Sequence, residues 1–409
     1  MRTYIIPLIL FALIQVELLS QSCLPEGITF TTQAQIDSFQ VNYPPCSRIE
    51  GDVFITGEEI DNLNGLNSLT SLGGDLLVTG SLPIQYFFGL ENIRTIDGDV
   101  EFSTLLAIPN YSGLNGLKKI GGNLKLESNF GVISFHGFNN LDSIAGSLWI
   151  RAGSQLDNLS GFESLSFIGG DMKFEYLGIN DLTGIGNLQE ICGTFWLKYN
   201  YHLVTLAGIE KLTRINGGLY LDDNQVLANI DDLANITYIG GYVRIFNNGS
   251  LSTLDPLGNL TYIGEDLWVY NNDALVTLAN FSELTYLGTD LKITNNAILA
   301  SAGNFPRIKA FHGDLLINTN PELVNFPDLD SVSIIEGTLE IANNPKLYNF
   351  YGIDGLASIG RNLLLNQNPS LTTLEALKNL AYVGNNMTIS ANNSLNSLID
   401  LQNLTYQVS

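Results

Sequence analysis

A triplet of the form apolar–any–apolar, usually placed just after glycines, recurs along this chain at a nearly constant interval. It begins at Val53, Leu76, Val100, Leu124, Leu148, Met172, Phe195, Leu219, Val243, Leu267, Leu291, Leu315, Leu339, Leu363 and Met387. Twelve of the fourteen spacings between these fifteen anchors are 24 residues, and the other two are 23. A fixed period over this length marks a repeat array, and it limits the fold more than any other feature of the chain. Each unit runs from a Gly-rich bend through a short alternating stretch to an Asn and then to leucines about three residues apart, as in LYLDDNQVLANIDDLANITYIGG.

Alternation with a period of two is a strand with one face buried. Several glycines and no sustained 3.6-residue pattern leave no room for a full helix in each unit. The chain therefore reads as all-β: a parallel β-solenoid of about fifteen coils with a 24-residue period, its anchors pointing into one continuous core. At about 4.8 Å per coil, the rod is roughly 70 Å long.

Three residues past the second apolar anchor stand Asn129, Asn200, Asn224, Asn248, Asn272, Asn296, Asn320, Asn344, Asn368 and Asn392. A buried turn strands backbone donors and acceptors, and a stack of side-chain amides can satisfy them coil after coil. Five coils carry Glu58, Ser81, Leu105, Gly153 or Leu177 at this place, so the N-terminal half is expected to be less regular.

The ends differ from the array. Met1-Arg2-Thr3, the apolar run Tyr4 to Val16 and the small residues Ser20 and Ser22 read as a secretory signal over residues 1–22. This run is too short for a transmembrane helix, and no second one of spanning length follows. Cys23 directly after it raises lipidation, against which the preceding Ser-Gln-Ser departs from the usual lipoprotein pattern. In an export context Cys23 and Cys46 are expected to form a disulfide that pins a cap over residues 23–47, where Thr32 and Gln35 form a capping box. Cys192 sits in a glycine slot of the bend and reads as a small buried thiol. Residues 48–409 form the solenoid. A sixteenth anchor would fall beyond Ser409, so the last coil is expected to be open and protected by a further C-terminal segment, by self-association or by the cell-surface machinery.

The formal charge of −23 excludes the basic footprint that a nucleic-acid partner needs. No zinc spacing, P-loop, nucleophile elbow or dinucleotide fingerprint appears, and His136, His202 and His312 fall in different phases of the repeat. No cofactor and no enzymatic activity are expected.

CSRIEGDVFI at Cys46 to Ile55, followed by repeated I-G-G-x-L-x-I and Leu-x-Gly-Leu, resembles the receptor L domain. That is a leucine-rich-repeat-like, right-handed β-helix found in receptor ectodomains and in secreted bacterial proteins. The opening CLPEGITFTTQAQID is similar to the bacterial members. The resemblance implies a right-handed solenoid and a binding scaffold with varied partners. The chain has many more coils than one receptor L domain and carries no receptor signalling segment.

Residues flanking the anchors should point outward in columns. The middle column reads Glu101, Lys125, Trp149, Lys173, Trp196, Tyr220, Arg244, Trp268, Lys292, and the next reads Glu127, Arg151, Glu175, Lys198, Asp222, Phe246, Tyr270. One reading is self-stacking, with Lys173 between Trp149 and Trp196, Arg244 between Tyr220 and Trp268, and a charge ladder beside them. The other is a platform for a protein or glycan partner on a surface. Tyr238, Tyr262 and Tyr286 read as a structural tyrosine ladder on another side. Asp266, Asp290 and Asp314 read as caps of their own bends, with a calcium site as the alternative. Nine Asn-X-Ser/Thr sequons are explained by repetition of an Asn-rich unit. The reading is a non-enzymatic, secreted or cell-surface recognition module. The alternatives are a structural spacer, or a carbohydrate-active enzyme using Lys125, Glu127, Arg151 and Glu175.

Overall fold

Each anchor triplet forms a strand, and each strand pairs in register with the strand one coil away. The structure, a computed structural model, describes residues 21–405. The expected signal segment over residues 1–22 lies outside them but for Gln21 and Ser22. Fifteen strands from Val53–Ile55 to Met387–Ser390, preceded by Ile28–Phe30, make one 16-stranded parallel sheet in strict sequence order. Anchor faces anchor throughout, as in Leu219↔Val243 and Leu267↔Leu291. Leu267 and Val269 are fully buried, whereas Trp268 between them is half-buried, the alternation a one-sided strand requires. About fifteen turns of the main chain thus enclose a single core of Leu, Ile, Val and Phe.

A second parallel sheet of two-residue strands lines another side of the rod. It runs unbroken for twelve strands, from Ser22–Cys23 to Tyr286–Leu287, and resumes as four strands from Ala310–Phe311 to Tyr382–Val383. The break is therefore in the C-terminal half, and the expectation of a less regular N-terminal half is corrected. In that half a column of glycines at positive φ (Gly89, Gly113, Gly137, Gly161, Gly184, Gly208) turns one corner of each coil. A Cβ on Gly137 would collide with the backbone of Tyr111, so the corner needs glycine. In other coils 3₁₀ turns at the same place, such as Asp231–Leu233 and Glu375–Leu377, do the same work by a different route.

The asparagine ladder is present. Asn272 Oδ1 accepts from the backbone N–H of Asn248 at 3.0 Å, and its Nδ2 donates to the carbonyl of Ile245 at 2.9 Å. The same pair of bonds recurs from Asn200 to Asn392, and all ten ladder asparagines are buried. Ladders extend further than the periodic asparagines alone suggest. The residue before each ladder position is left-handed, with φ between 53° and 58° from Asn247 to Ala391. Asn tolerates that region better than other side chains, which explains the paired Asn271-Asn272. Asn271 also donates to Asn247 Oδ1 at 2.7 Å, and Asn295 to Asn271 Oδ1 at 2.9 Å.

The aspartates before the anchors do not cap their own bends. Asp52, Asp75 and Asp99 each accept the N–H of the same position one coil later, at 2.9, 2.7 and 2.6 Å, and Asp290 and Asp314 do likewise. Asp266 instead holds Arg244. Among the described residues no group of three or more His, Cys, Asp or Glu could hold a metal ion, and no helix is long and apolar enough to cross a membrane.

Cys23 and Cys46 form the disulfide, with Cα atoms 5.6 Å apart. The cap adds two short helices, Gln33–Asp37 and Phe39–Asn42. Gln35 Oε1 accepts from the N–H of Thr32 at 3.1 Å, closing the expected capping box. Ile36 and Phe39 seal the first core layer. The cap also supplies the first strand of each sheet, so it is half a coil and not only a lid. Cys192 is half-buried, not buried as its slot suggested, because the bend runs at the surface; burial and Glu190 push its thiol up.

Candidate functional site

The register of the long sheet places the two outward columns as the repeat implies. Lys125 faces Trp149, Trp149 faces Lys173, Trp196 faces Tyr220, Arg244 faces Trp268, and Trp268 faces Lys292. Beside them Arg151 faces Glu175, Lys198 faces Asp222, and Phe246 faces Tyr270.

The cations of these columns are all tied to carboxylates. Lys125 Nζ lies 3.1 Å from Glu101 and 3.0 Å from Glu127, and Arg151 lies 3.1 Å from Glu127. Lys173 reaches Asp171 at 2.8 Å, Lys198 reaches Asp222 at 2.8 Å, and Lys292 reaches Asp290 at 2.6 Å. Arg244 grips Asp266 with two bonds of 3.0 and 2.7 Å. Two of the expected cation–π contacts are therefore corrected. Lys173 turns to Asp171 and away from Trp149 and Trp196, while Arg244 lies 4.2 Å from the Tyr242 ring centre and not against Trp268. An ion pair within reach outweighs a ring face for a partly desolvated cation. Lys125 over Trp149 at 5.1 Å and Lys292 over Trp268 at 5.4 Å do form.

Charge states follow from these partners. The Glu127 carboxyl is held below its ordinary range, first by the Lys125 ammonium, which outweighs burial. Burial opposes the Lys125 ammonium, yet Glu127 and Glu101 raise its pKa. Tyr220 is pushed up to about 12 by burial and by Asp222, to which its hydroxyl donates at 3.0 Å. Glu127 is thus kept ionised as a charge partner, the opposite of a carboxyl poised as general acid.

What the face offers is aromatic. Trp196 stacks on Tyr220 with ring centres 3.8 Å apart and 9° between planes. Tyr220 meets Phe246 at 5.8 Å, Phe246 meets Trp268 at 4.8 Å and Tyr270 at 6.2 Å, all edge-to-face. The indole N–H groups of Trp149, Trp196 and Trp268 are buried without a hydrogen-bond partner, so the polar ring edge is not what solvent meets.

The patch extends onto the left-handed corner, where sequence reasoning placed nothing. Tyr176 and Tyr199 stack at 4.7 Å, Tyr201 lies 6.3 Å from Tyr199, and Lys198 sits over both Tyr199 and Tyr220. Tyr176 and Tyr201 are exposed. Their signal in the sequence was the tyrosine at successive corner positions, hidden because only the strand columns were aligned. On the second sheet the tyrosine ladder is present: Tyr238–Tyr262 and Tyr262–Tyr286 stack at 4.9 and 4.8 Å, and Arg214 covers the first ring at 3.5 Å.

Residues 211–325 match the Receptor L domain family. The matched stretch holds Tyr220, Arg244, Phe246, Trp268, Tyr270 and Lys292, and its coils have the β-solenoid form that the L-domain likeness implies. The Receptor L domain is a binding domain, which makes a binding or recognition module the reading that this match supports. No curated protein matches the chain significantly.

Proposed function

We propose that the protein is a non-enzymatic recognition or adhesion module, secreted or held at the cell surface. In this reading it binds a protein or glycan partner across the outward face of the long sheet between Lys125 and Lys292. One observation carries it: the aromatic surface from Trp196 through Tyr220, Phe246 and Trp268 to Tyr270 is continuous on a paired sheet, and Lys198 joins it to the stacked Tyr176 and Tyr199. Rigid aromatic plates give large contact area at little entropic cost, which is why they anchor protein and sugar interfaces. The Cys23–Cys46 bridge fits an oxidising compartment.

The spacer reading draws on a different observation, the closure of every column cation onto a carboxylate of its own face. A screen of glycans and surface proteins with the mature chain separates the two. Trp149, Trp196 and Trp268 changed together to Ser should abolish binding of whatever the screen returns while the far-UV spectrum stays unchanged. Affinity retained in that variant assigns the column to self-stacking.

A further inference from the structure

At one step of the rod the second sheet comes apart. In the coils next to it on either side, three backbone bonds join this edge to the coil before it. Thr285, Gly288 and Thr289 donate to Thr261, Ile263 and Glu265 at 3.0, 3.0 and 3.1 Å, and Ser333, Glu336 and Gly337 donate to Lys309, Phe311 and Gly313 at 3.0, 2.9 and 3.0 Å. Between these two sets, Lys309, His312 and Gly313 make none of the equivalent bonds to Thr285, Leu287 and Thr289. Three N–H groups and three carbonyls are left open. The long sheet is fully paired at the same step, from Leu291↔Leu315 to Thr294↔Asn318. The core differs at the same step: the buried slot held by Ile215, Ile239, Ile263, Leu287, Ile335 and Ile359 holds the larger Phe311 here, and a larger side chain in a packed slot shifts the backbone around it.

Over the break lies a groove of about 620 Å³, lined among others by Tyr286, Pro306, Arg307, Lys309, His312 and Ser331. Its character differs from the rest of a chain with a net charge of −23. Arg307 is paired with Glu283 at 2.9 Å and His312 with Glu336 at 3.1 Å, but Lys309 has no carboxylate partner among the described residues. Tyr286 ends the tyrosine stack. One of its faces rests on Tyr262, and across the gap His312 stands 6.2 Å away and tilted by 39°. That leaves the outer side of the tyrosine less covered than any ring within the stack.

We infer that this groove is a binding site for an anionic sugar, a pyranose carrying a carboxylate or sulfate. The apolar face of a pyranose matches the exposed side of the Tyr286 ring, and its anion matches Lys309. An inserted peptide strand does not fit, because the pairing at Leu291↔Leu315 holds the two coils at ordinary strand spacing. The site lies on a different sheet from the aromatic columns and does not depend on them.

Calorimetric titration of the full mature chain tests it, with oligogalacturonate, a sulfated galactan oligosaccharide and a neutral oligogalactan of equal length as probes. One or both anionic sugars should bind, with the neutral one at least about ten-fold weaker. Lys309→Gln and Tyr286→Ala should each weaken binding about ten-fold with an unchanged far-UV spectrum. The Trp149/Trp196/Trp268 triple Ser variant should bind as the parent does. Failure of both anionic sugars to bind at millimolar concentration overturns the inference. So does equal binding of the neutral one, or an affinity that neither single variant changes.

Discussion

At the scale of the residue, the two asparagines of Asn271-Asn272 show how much work one repeated letter hides. Asn272 satisfies an N–H and a carbonyl of the preceding coil, so Asn272→Ala orphans two buried backbone groups. It should cost about 3 kcal/mol, against about 1–2 kcal/mol for Trp268→Ala, which removes only half-buried ring contacts. Denaturant melts of the two variants check the order. The ladder was legible because its slot repeats, and burial followed from the slot. The partners of Lys173 and Arg244 were not, since a long flexible cation reaches several neighbours and register alone does not choose among them. Glu127 carries the clearest pH signature. Its folded pKa lies below the unfolded value, so its stabilisation is complete above about pH 4.3 and is lost as pH falls further. Glu127→Gln should therefore flatten the fall in Tm between about pH 5 and 3. An acid limb identical to that of the parent would remove the assignment.

At the scale of the element, the 24-residue unit announces its strand, its bend and its ladder position, yet not how each corner is turned. Glycine at positive φ and a 3₁₀ turn exchange freely there because both reverse the chain within the same few residues. The open step at Leu287 is a sharper case. Phe311 is the one aromatic in a column of Ile, Leu and Val, visible from the repeats, but the missing backbone bonds beside it are something no residue pattern states. Hydrogen exchange should read it directly. The amides of Lys309, His312 and Gly313 should exchange far faster than those of Thr285, Gly288 and Thr289, and Phe311→Ile should slow them toward their neighbours. Equal protection in the parent protein would mean that the edge is closed in solution.

At the scale of the whole molecule, the fold was almost entirely legible, because periodicity fixes both the coil and its neighbour. The candidate face was half legible. The columns follow from the period, but their neutralised charge and the corner tyrosines Tyr176, Tyr199 and Tyr201 depend on side-chain directions that the period does not specify. The two ends behave differently. The cap buries Ile36 and Phe39 and is closed by the disulfide, while Met387 and Ile389 of the last strand remain only half-buried where their counterparts upstream are buried. Reducing Cys23–Cys46 releases a loop of sequence separation 23 and should destabilise the cap by about 3 kcal/mol. In a quasi-one-dimensional stack that loss stays local. Proteolysis under reducing conditions should then nick the chain before Val53 and spare the central coils.

The side-chain ladders have a direction. Each buried asparagine completes the coil before it, whereas the aspartates ahead of the anchors, Asp266 excepted, complete the coil after it. Where the ladders run, from Asn200 to Asn392, donors and acceptors are thus handed along the axis in a fixed order. A unit copied head to tail leaves neither neighbour short, so such a rod can lengthen or shorten by whole units during its descent without passing through a broken intermediate. Gain or loss of a fraction of a unit interrupts the hand-over at two joints at once. Polymer-like inheritance of this kind makes length the easiest property of the molecule to change, and the position of its one open joint the hardest to move by duplication alone.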